Sequence, residues 1–295
     1  MTLLVIGGTS RVGQVLVPLA LPTRVVRVAT RDPHSATARK LSEAGAQIVT
    51  ADLRNAASLQ SACAGVDTVV ASAHGFPGVK GNDVRSVDLA GHRRLIKVAV
   101  SCGIKRFIYV SALGAGPNVP VDLFRAKWTI EQDLAASTLA WTVLRASPFM
   151  ESWAALVGQP ILDRGRTTVF GRGTNPINFV SAGDVARLAL RLADDPGAVN
   201  QVVVIGGPEN LTMLEVITRF ERATGRKAVV RHVPLPVMRI MRNTVGRMIA
   251  PLGRQIAAGI LLDTAPMTFD PTPTLMRWPM ELTTLDMVIA RTIGH

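Results

Sequence analysis

The chain opens on a stretch that could hold phosphate: Gly7-Gly8-Thr9-Ser10-Arg11-Val12-Gly13, set between an apolar run and a helical pattern. At such a turn, unpaired backbone N–H groups and the positive end of a helix point at an anion. Gly7 or Gly8 allows the tight turn, and Gly13 lets the helix pack close to the strand. Ser10 stands where a further glycine is usual; its small hydroxyl can cap the helix or bond a phosphate oxygen. A second signal is Thr30-Arg31-Asp32-Pro33. Proteins that take NAD place an acid near here for the ribose 2′-hydroxyl, whereas a guanidinium suits the 2′-phosphate of NADP. Arg31, with Arg11 able to stack or pair nearby, favours NADP, and Asp32 keeps NAD open. Asp52-Leu53 fits an adenine contact, and equally a helix N-cap.

Three further side chains could do acid–base work. Lys127 is followed by Glu131 at i+4, which from spacing alone is equally a surface ion pair. Ser111 at a strand end is a substrate-orienting hydroxyl or a simple turn cap. His74 falls in the loop after a fourth apolar run, where an imidazole could donate a proton or merely be solvated. Asp184 reads as a helix N-cap.

Positioning these groups takes a regular scaffold. Short β-branched runs at Thr2–Ile6, Val25–Thr30, Gln47–Ala51, Thr68–Ala71, Arg106–Val110 and Trp141–Arg145 alternate with helical patterns at Val12–Ala20, Ala36–Ala44, Ala57–Ala64, a stretch ending near Ser101, and Val121–Ala136. That rhythm predicts an α/β fold, a doubly wound and mostly parallel Rossmann-type sheet. Residues 1–150 form the NAD(P)-binding domain. Residues 151–295 form a smaller mixed α/β substrate lobe, partly interleaved with the first, in which Val202–Ile205 extends the main sheet. Helices are expected at Ala182–Ala193, Leu211–Thr224 and Pro236–Ile249.

Composition narrows the classes. With 48% hydrophobic and 18% charged residues, the chain has enough apolar surface to fold, so disorder is excluded. No apolar run is long enough to span a bilayer, and the N-terminus carries no secretory pattern. Cys63 and Cys102 lack disulfide or metal spacing, which predicts no metal and a reducing, cytoplasmic setting. The net charge of +12 is uneven: Arg219–Arg254 holds nine basic residues against Glu221. In Pro236–Ile249, Arg239, Arg242 and Arg247 alternate with apolar residues as in a basic amphipathic helix, compatible with a solvated face or with peripheral contact at an anionic membrane. No DNA-reading motif accompanies it, which argues against nucleic acid.

Together these residues resemble the NmrA-like and isoflavone-reductase-like group of atypical short-chain dehydrogenase/reductases. The matching pieces are the Gly7–Gly13 turn, Thr30–Pro33, Ala51–Leu53, Tyr109–Ala115, Lys127 with Glu131, Trp141–Arg145, and Phe179 through Ala186. The resemblance implies a nicotinamide pocket lined by Ser111, Lys127 and Ala146–Phe149, with cofactor contacts at Ala71, Ser72, Ser147 and Pro148. In the wider superfamily a Tyr-x-x-x-Lys pair does the acid–base chemistry. Here Leu123 stands four residues before Lys127, and the chain's single tyrosine is Tyr109. The implied function is NADPH-dependent reduction of a small apolar acceptor such as a quinone, an enone or an activated carbonyl. The alternative is a non-catalytic NADP(H) sensor that regulates a protein partner. A methionine-rich stretch from Val237 to Met248, with Met267, Met276 and Met280, suits an adaptable substrate pocket or plain core filling.

Overall fold

Six apolar runs become six parallel strands, the central ones buried on both faces by the helices that connect them and Gln47–Thr50 at the sheet edge only half-buried. The computed structural model describes residues 1–76, 78 and 81–294; Pro77, Val79 and Lys80, in the loop after the fourth apolar run, lie outside them. In chain order the first part is β1 (Thr2–Ile6), α1 (Arg11–Ala20), β2 (Val25–Thr30), α2 (Ala36–Glu43), β3 (Gln47–Thr50), α3 (Ala56–Cys63), β4 (Thr68–Ala71), a π-helical turn (Val84–Leu89), α4 (Ala90–Ser101), β5 (Arg106–Ala112), α5 (Asp122–Ala135) and β6 (Trp141–Ala146). There follow α6 (Met150–Trp153), α7 (Gln159–Arg164), β7 (Arg166–Phe170), β8 (Ile177–Asn178), α8 (Ala182–Asp194), β9 (Gln201–Ile205), β10 (Asn210–Leu211), α9 (Met213–Thr224), β11 (Val229–Val233), α10 (Leu235–Asn243), α11 (Val245–Met248), α12 (Ala250–Thr264), α13 (Thr272–Arg277) and α14 (Leu285–Ile293).

The main sheet runs β3-β2-β1-β4-β5-β6-β9. Chain order reverses between β1 and β4, so a crevice opens there beyond the carboxyl ends of the strands. β9 lies parallel to β6: Asn200 N–H bonds the Trp141 carbonyl at 2.6 Å, and Ser147 N–H bonds the Ile205 carbonyl at 3.0 Å, so partner numbers rise together. Arg106 helps hold this return segment, its guanidinium donating to the Leu192 carbonyl and to Thr142 Oγ1, each at 2.7 Å. Under one face of the sheet, Leu4, Val69, Phe107, Tyr109, Leu95, Ile130 and Leu134 pack into a continuous core.

The chain divides into two compact units, Met1–Ala146 with Val185–Val204, and Ser147–Asp184 with Ile205–His295. The second unit carries two small sheets: β7 pairs with β11 in parallel, and β8 pairs with β10 antiparallel. Phe179, Ile217, Phe220, Met267 and Val288 are among its core residues. Asp184 is not an N-cap here. It lies buried inside α8 and accepts Thr283 N–H and Oγ1–H at 2.8 Å, tying a distant loop to the helix.

The single helix expected over 236–249 is broken. α10 stops at Thr244 (φ −108°, ψ −96°), and the chain turns through α11 into α12. Gly246 makes the reversal possible: a Cβ there would stand 2.9 Å from Gly253 Cα. β11 and α12 were invisible in the sequence pattern. β11 spans only five residues, and α12 is apolar nearly all round, with Gly253 and Gly259 blurring its period.

Candidate functional site

Phosphate chemistry needs the glycine turn to bring backbone close to an anion, and packing forces it to do so. Gly7 sits at φ +87°, and a Cβ there would meet Ala73 N at 2.6 Å. Gly13 lets α1 close on the Gly7–Gly8 backbone, where any Cβ would collide with the Gly7 carbonyl. Ser10 caps α1, its Oγ accepting Gly13 N–H at 3.2 Å and lying 3.2 Å from Ser72 Oγ. Gly7, Thr9 and Ser10 border a cleft of about 760 Å³ at the carboxyl end of the sheet. Of the other predicted cofactor residues, Arg31, Asp52 and Leu53 line the same cleft, and so does His74. Gly8 instead backs onto the Val28 side chain, Val12 and Ala71 are core residues, and Arg11 is exposed on α1.

One end of the cleft is built for charge. Arg31 leaves β2 with its guanidinium donating to Asn82 Oδ1. Ser35 caps α2 by accepting Ala38 N–H at 3.3 Å, and Ser35 and Thr37 line the cleft beside Asp32. Arg54, absent from the sequence reading, grips Asp52 through Nε at 3.0 Å to both oxygens and through Nη2 at 2.5 Å, and its Nη1 donates to the Gly81 carbonyl at 2.8 Å. The Arg54 side-chain bond is the main reason the Asp52 carboxyl is held below the usual range. Asp52 therefore serves as a brace for the cleft wall as well as a candidate adenosine contact.

A second cluster forms where β5 outruns β4. The β4–β5 register ends at Ala71–Tyr109, leaving Val110 without a β4 partner. The Val110 carbonyl accepts Lys127 Nζ–H at 2.8 Å. Lys127 reaches it because Leu123, Ala126, Lys127, Ile130, Glu131 and Leu134 form the buried stripe of α5. The surface-pair alternative for Lys127 and Glu131 is thus overturned. Glu131 is buried and receives Ser111 Oγ–H at 2.5 Å and the Arg145 guanidinium through Nε and Nη2. Ser111 accordingly locks Glu131 instead of capping a turn. Leu123, where a catalytic tyrosine would stand, shares the buried face.

Around Lys127 lie groups that the sequence reading did not single out. Its Nζ stands 5.0 Å from the Tyr109 ring centroid, and His92 meets Tyr109 edge-on at 5.2 Å. His92 Nδ1 bonds the Val87 carbonyl at 2.9 Å, and Asp88 accepts Gly75 N–H at 2.7 Å. Among the described residues, Tyr109 Oη and His92 Nε2 find no hydrogen-bond partner. Burial pushes the Lys127 ammonium down, against the pull of Asp88 and Glu131. The same burial, with Lys127 adding repulsion, takes His92 to about 4. His74 is also taken to about 4 by the protein around it and by Lys127, although its surface faces the open cleft. The period of α4 could have revealed His92, since it shares a buried face with Leu95, Ile96 and Ala99.

In the second unit, Ser147 is buried and its Oγ lies 3.2 Å from Asn178 Oδ1, while the Pro148 carbonyl accepts Val180 N–H at 3.0 Å. That unit's own cavity, bordered by Trp153, Val157 and Leu262, measures about 20 Å³, room for a water. Met238 and Met267 are buried while Met248 and Met276 are exposed, so the methionines do not gather in one pocket.

The chain is similar along most of its length to proteins of known name. It is 30% identical over 244 residues to the Photosystem II assembly factor Ycf39 of Synechocystis sp., covering 82% of this chain and 74% of that protein. It is 28% identical over 245 residues to the NAD(P)H azoreductase of Xenophilus azovorans, covering 83% and 80%. In fold it is similar to the NADPH-dependent quinone oxidoreductase QOR2 of Escherichia coli, solved as a complex with NADPH, with a TM-score of 0.79 at 21% identity, covering 99% of this chain and 100% of that one. The shared architecture is the NAD(P)-binding Rossmann-type fold. A match to the NmrA-like family model extends from residue 1 to residue 258, far past the glycine turn that many unrelated proteins share, and on that ground the chain belongs to the NmrA-like family.

Proposed function

We propose that this protein is an NADPH-dependent reductase of a small apolar acceptor: a quinone, an enone or an activated carbonyl. The observation that carries the reading is the cleft of about 760 Å³, which has the glycine turn on one wall and Arg31, Ser35 and Thr37 on another. Backbone that no Cβ could approach so closely fits a pyrophosphate, and a guanidinium beside a capped helix start fits a 2′-phosphate. Bound NADPH supplies a hydride.

The chain's own residues do the rest. The turn and the α1 N-terminus hold the diphosphate, and Arg31 selects the phosphorylated ribose. Lys127, fixed by the Val110 carbonyl, orients a ribose hydroxyl and offers positive charge to an oxygen that gains electrons. Ser111, Glu131 and Arg145 lock α5 to β5 and β6 and so keep Lys127 in place. No phenol is at hand to deliver a proton, because Tyr109 is the chain's one tyrosine and lies fully buried. Acceptors that need little proton donation, quinones above all, fit that lack.

The same lack favours a second reading, a cofactor-dependent partner protein without turnover, and one relative bears the name of an assembly factor. Titration with NADPH and NADH, followed by NADPH oxidation against quinones and enones, separates the two. Tight NADPH binding with quinone-dependent oxidation is the expected result. Tight binding without turnover across the panel supports the second reading, and failure to bind either nucleotide sinks both.

A further inference from the structure

The reductase reading leaves the most basic part of the chain without a role. Between Glu221 and Asp263 there is no acidic residue, while Arg222, Arg226, Lys227, Arg231, Arg239, Arg242, Arg247 and Arg254 all fall there. The same span holds no Phe, Trp or Tyr. On α10, Met238 is buried and packs toward Gly259 of α12. Val237, Ile240 and Met241, at i, i+3 and i+4, share another face of the helix and are exposed, Ile240 at 64%. The exposed apolar row continues through Val245, Met248 at 87% and Ile249. Arg239 on α10 and Arg247 on α11 are exposed as well.

Large apolar side chains standing in water on a stretch of chain rich in arginine and without an acid call for a partner that is negatively charged outside and apolar just beneath. We propose that the ridge from Val237 to Ile249 seats the protein on an anionic phospholipid surface. The helices lie in the plane of the headgroups. Ile240, Met241, Val245, Met248 and Ile249 enter the acyl boundary, and the flanking arginines meet lipid phosphates, their long stems allowing the charged ends to stay at the headgroup level. The break at Thr244 ends α10 and starts α11, and exposed apolar residues lie on both sides of it. No helix among the described residues is long and apolar enough to cross a membrane, so the attachment is peripheral. A single-stranded nucleic acid would be expected to find aromatic stacking platforms on such a surface, and the span has none. The proposal is independent of the reduction chemistry.

The test is co-sedimentation of the full chain with vesicles of phosphatidylcholine alone or mixed with phosphatidylglycerol, at low and high salt. Binding is expected only with the anionic lipid and is expected to weaken as salt screens it. Ile240→Ser combined with Met248→Ser, both at exposed positions, should lower the partition at least about tenfold. Arg239→Gln and Arg247→Gln should each lower it about fivefold. Unchanged circular dichroism and melting would show that the variants are folded. The proposal is overturned by absence of binding at low salt, by equal binding to neutral vesicles, or by variants that bind like the parent. Self-association that disappears with the Ile240/Met248 variant and takes the place of vesicle binding would overturn it in favour of a second copy. Salt-sensitive binding to an oligonucleotide without vesicle binding would overturn it in favour of nucleic acid.

Discussion

Arg31 follows β2 and borders the cleft, and a hydrogen bond between charged groups contributes about 1.5–3 kcal/mol. If that bond goes to a 2′-phosphate, Arg31→Ala should raise the NADPH dissociation constant roughly tenfold to a hundredfold and leave NADH within about twofold. Isothermal titration with both nucleotides checks this, and an equal loss for both would place Arg31 elsewhere. His92 makes a prediction of the opposite kind, about acid. Its folded value of about 4 lies below the ordinary 6.5, so the unfolded chain takes up the proton first. Stability from keeping His92 neutral is therefore complete above pH 6.5 and is lost as pH falls toward 4, by about 3 kcal/mol at most. Urea melts at stepped pH should show this slope, and His92→Gln should flatten it.

At the level of elements, each functional group is held by a local device. The hydroxyl at the start of α1 is one: Ser10→Ala removes the cap on Gly13 N–H and the contact with Ser72, and should cost about 1 kcal/mol. Chemical denaturation measures that cost; NADPH affinity should fall as well if the turn holds the diphosphate. The overhang of β5 past β4 is another device, because it frees the carbonyl that fixes Lys127. The seven strands of the main sheet and the first five helices were legible as alternating apolar periods, displaced by at most two residues at the ends that were read. Ser35, Thr37 and Arg54 were not, since nothing in their local pattern distinguishes a cleft wall from an ordinary cap or a solvated arginine. Asn82 likewise gains its meaning only from Arg31, which lies 51 residues away in the chain.

For the whole molecule, the two units divide the proposed tasks: the cleft belongs to the first, the basic apolar ridge to the second. Nucleotide present at about a hundredfold its dissociation constant stabilises the folded state by about 2.7 kcal/mol. Hydrogen exchange should therefore slow on NADPH addition at residues 7–13, 30–37 and 52–54, while 237–249 keeps its rate. Anionic vesicles should slow 237–249 instead. Protection of the ridge by NADPH alone would show that it belongs to the cofactor-dependent chemistry.

By itself the sequence determined the doubly wound sheet, the glycine turn and the family, because these rest on short-range periodicity and on residues whose backbone freedom is irreplaceable. The tertiary structure alone decided what Lys127 faces, that Glu131 belongs to Ser111 and Arg145, that His92 and Tyr109 pack into one buried group, and that Asp184 holds Thr283. It also broke the expected helix at Thr244 and turned its apolar row outward. In each case the deciding partner is far away in the chain, and burial sets both the charge a side chain carries and the neighbour it meets.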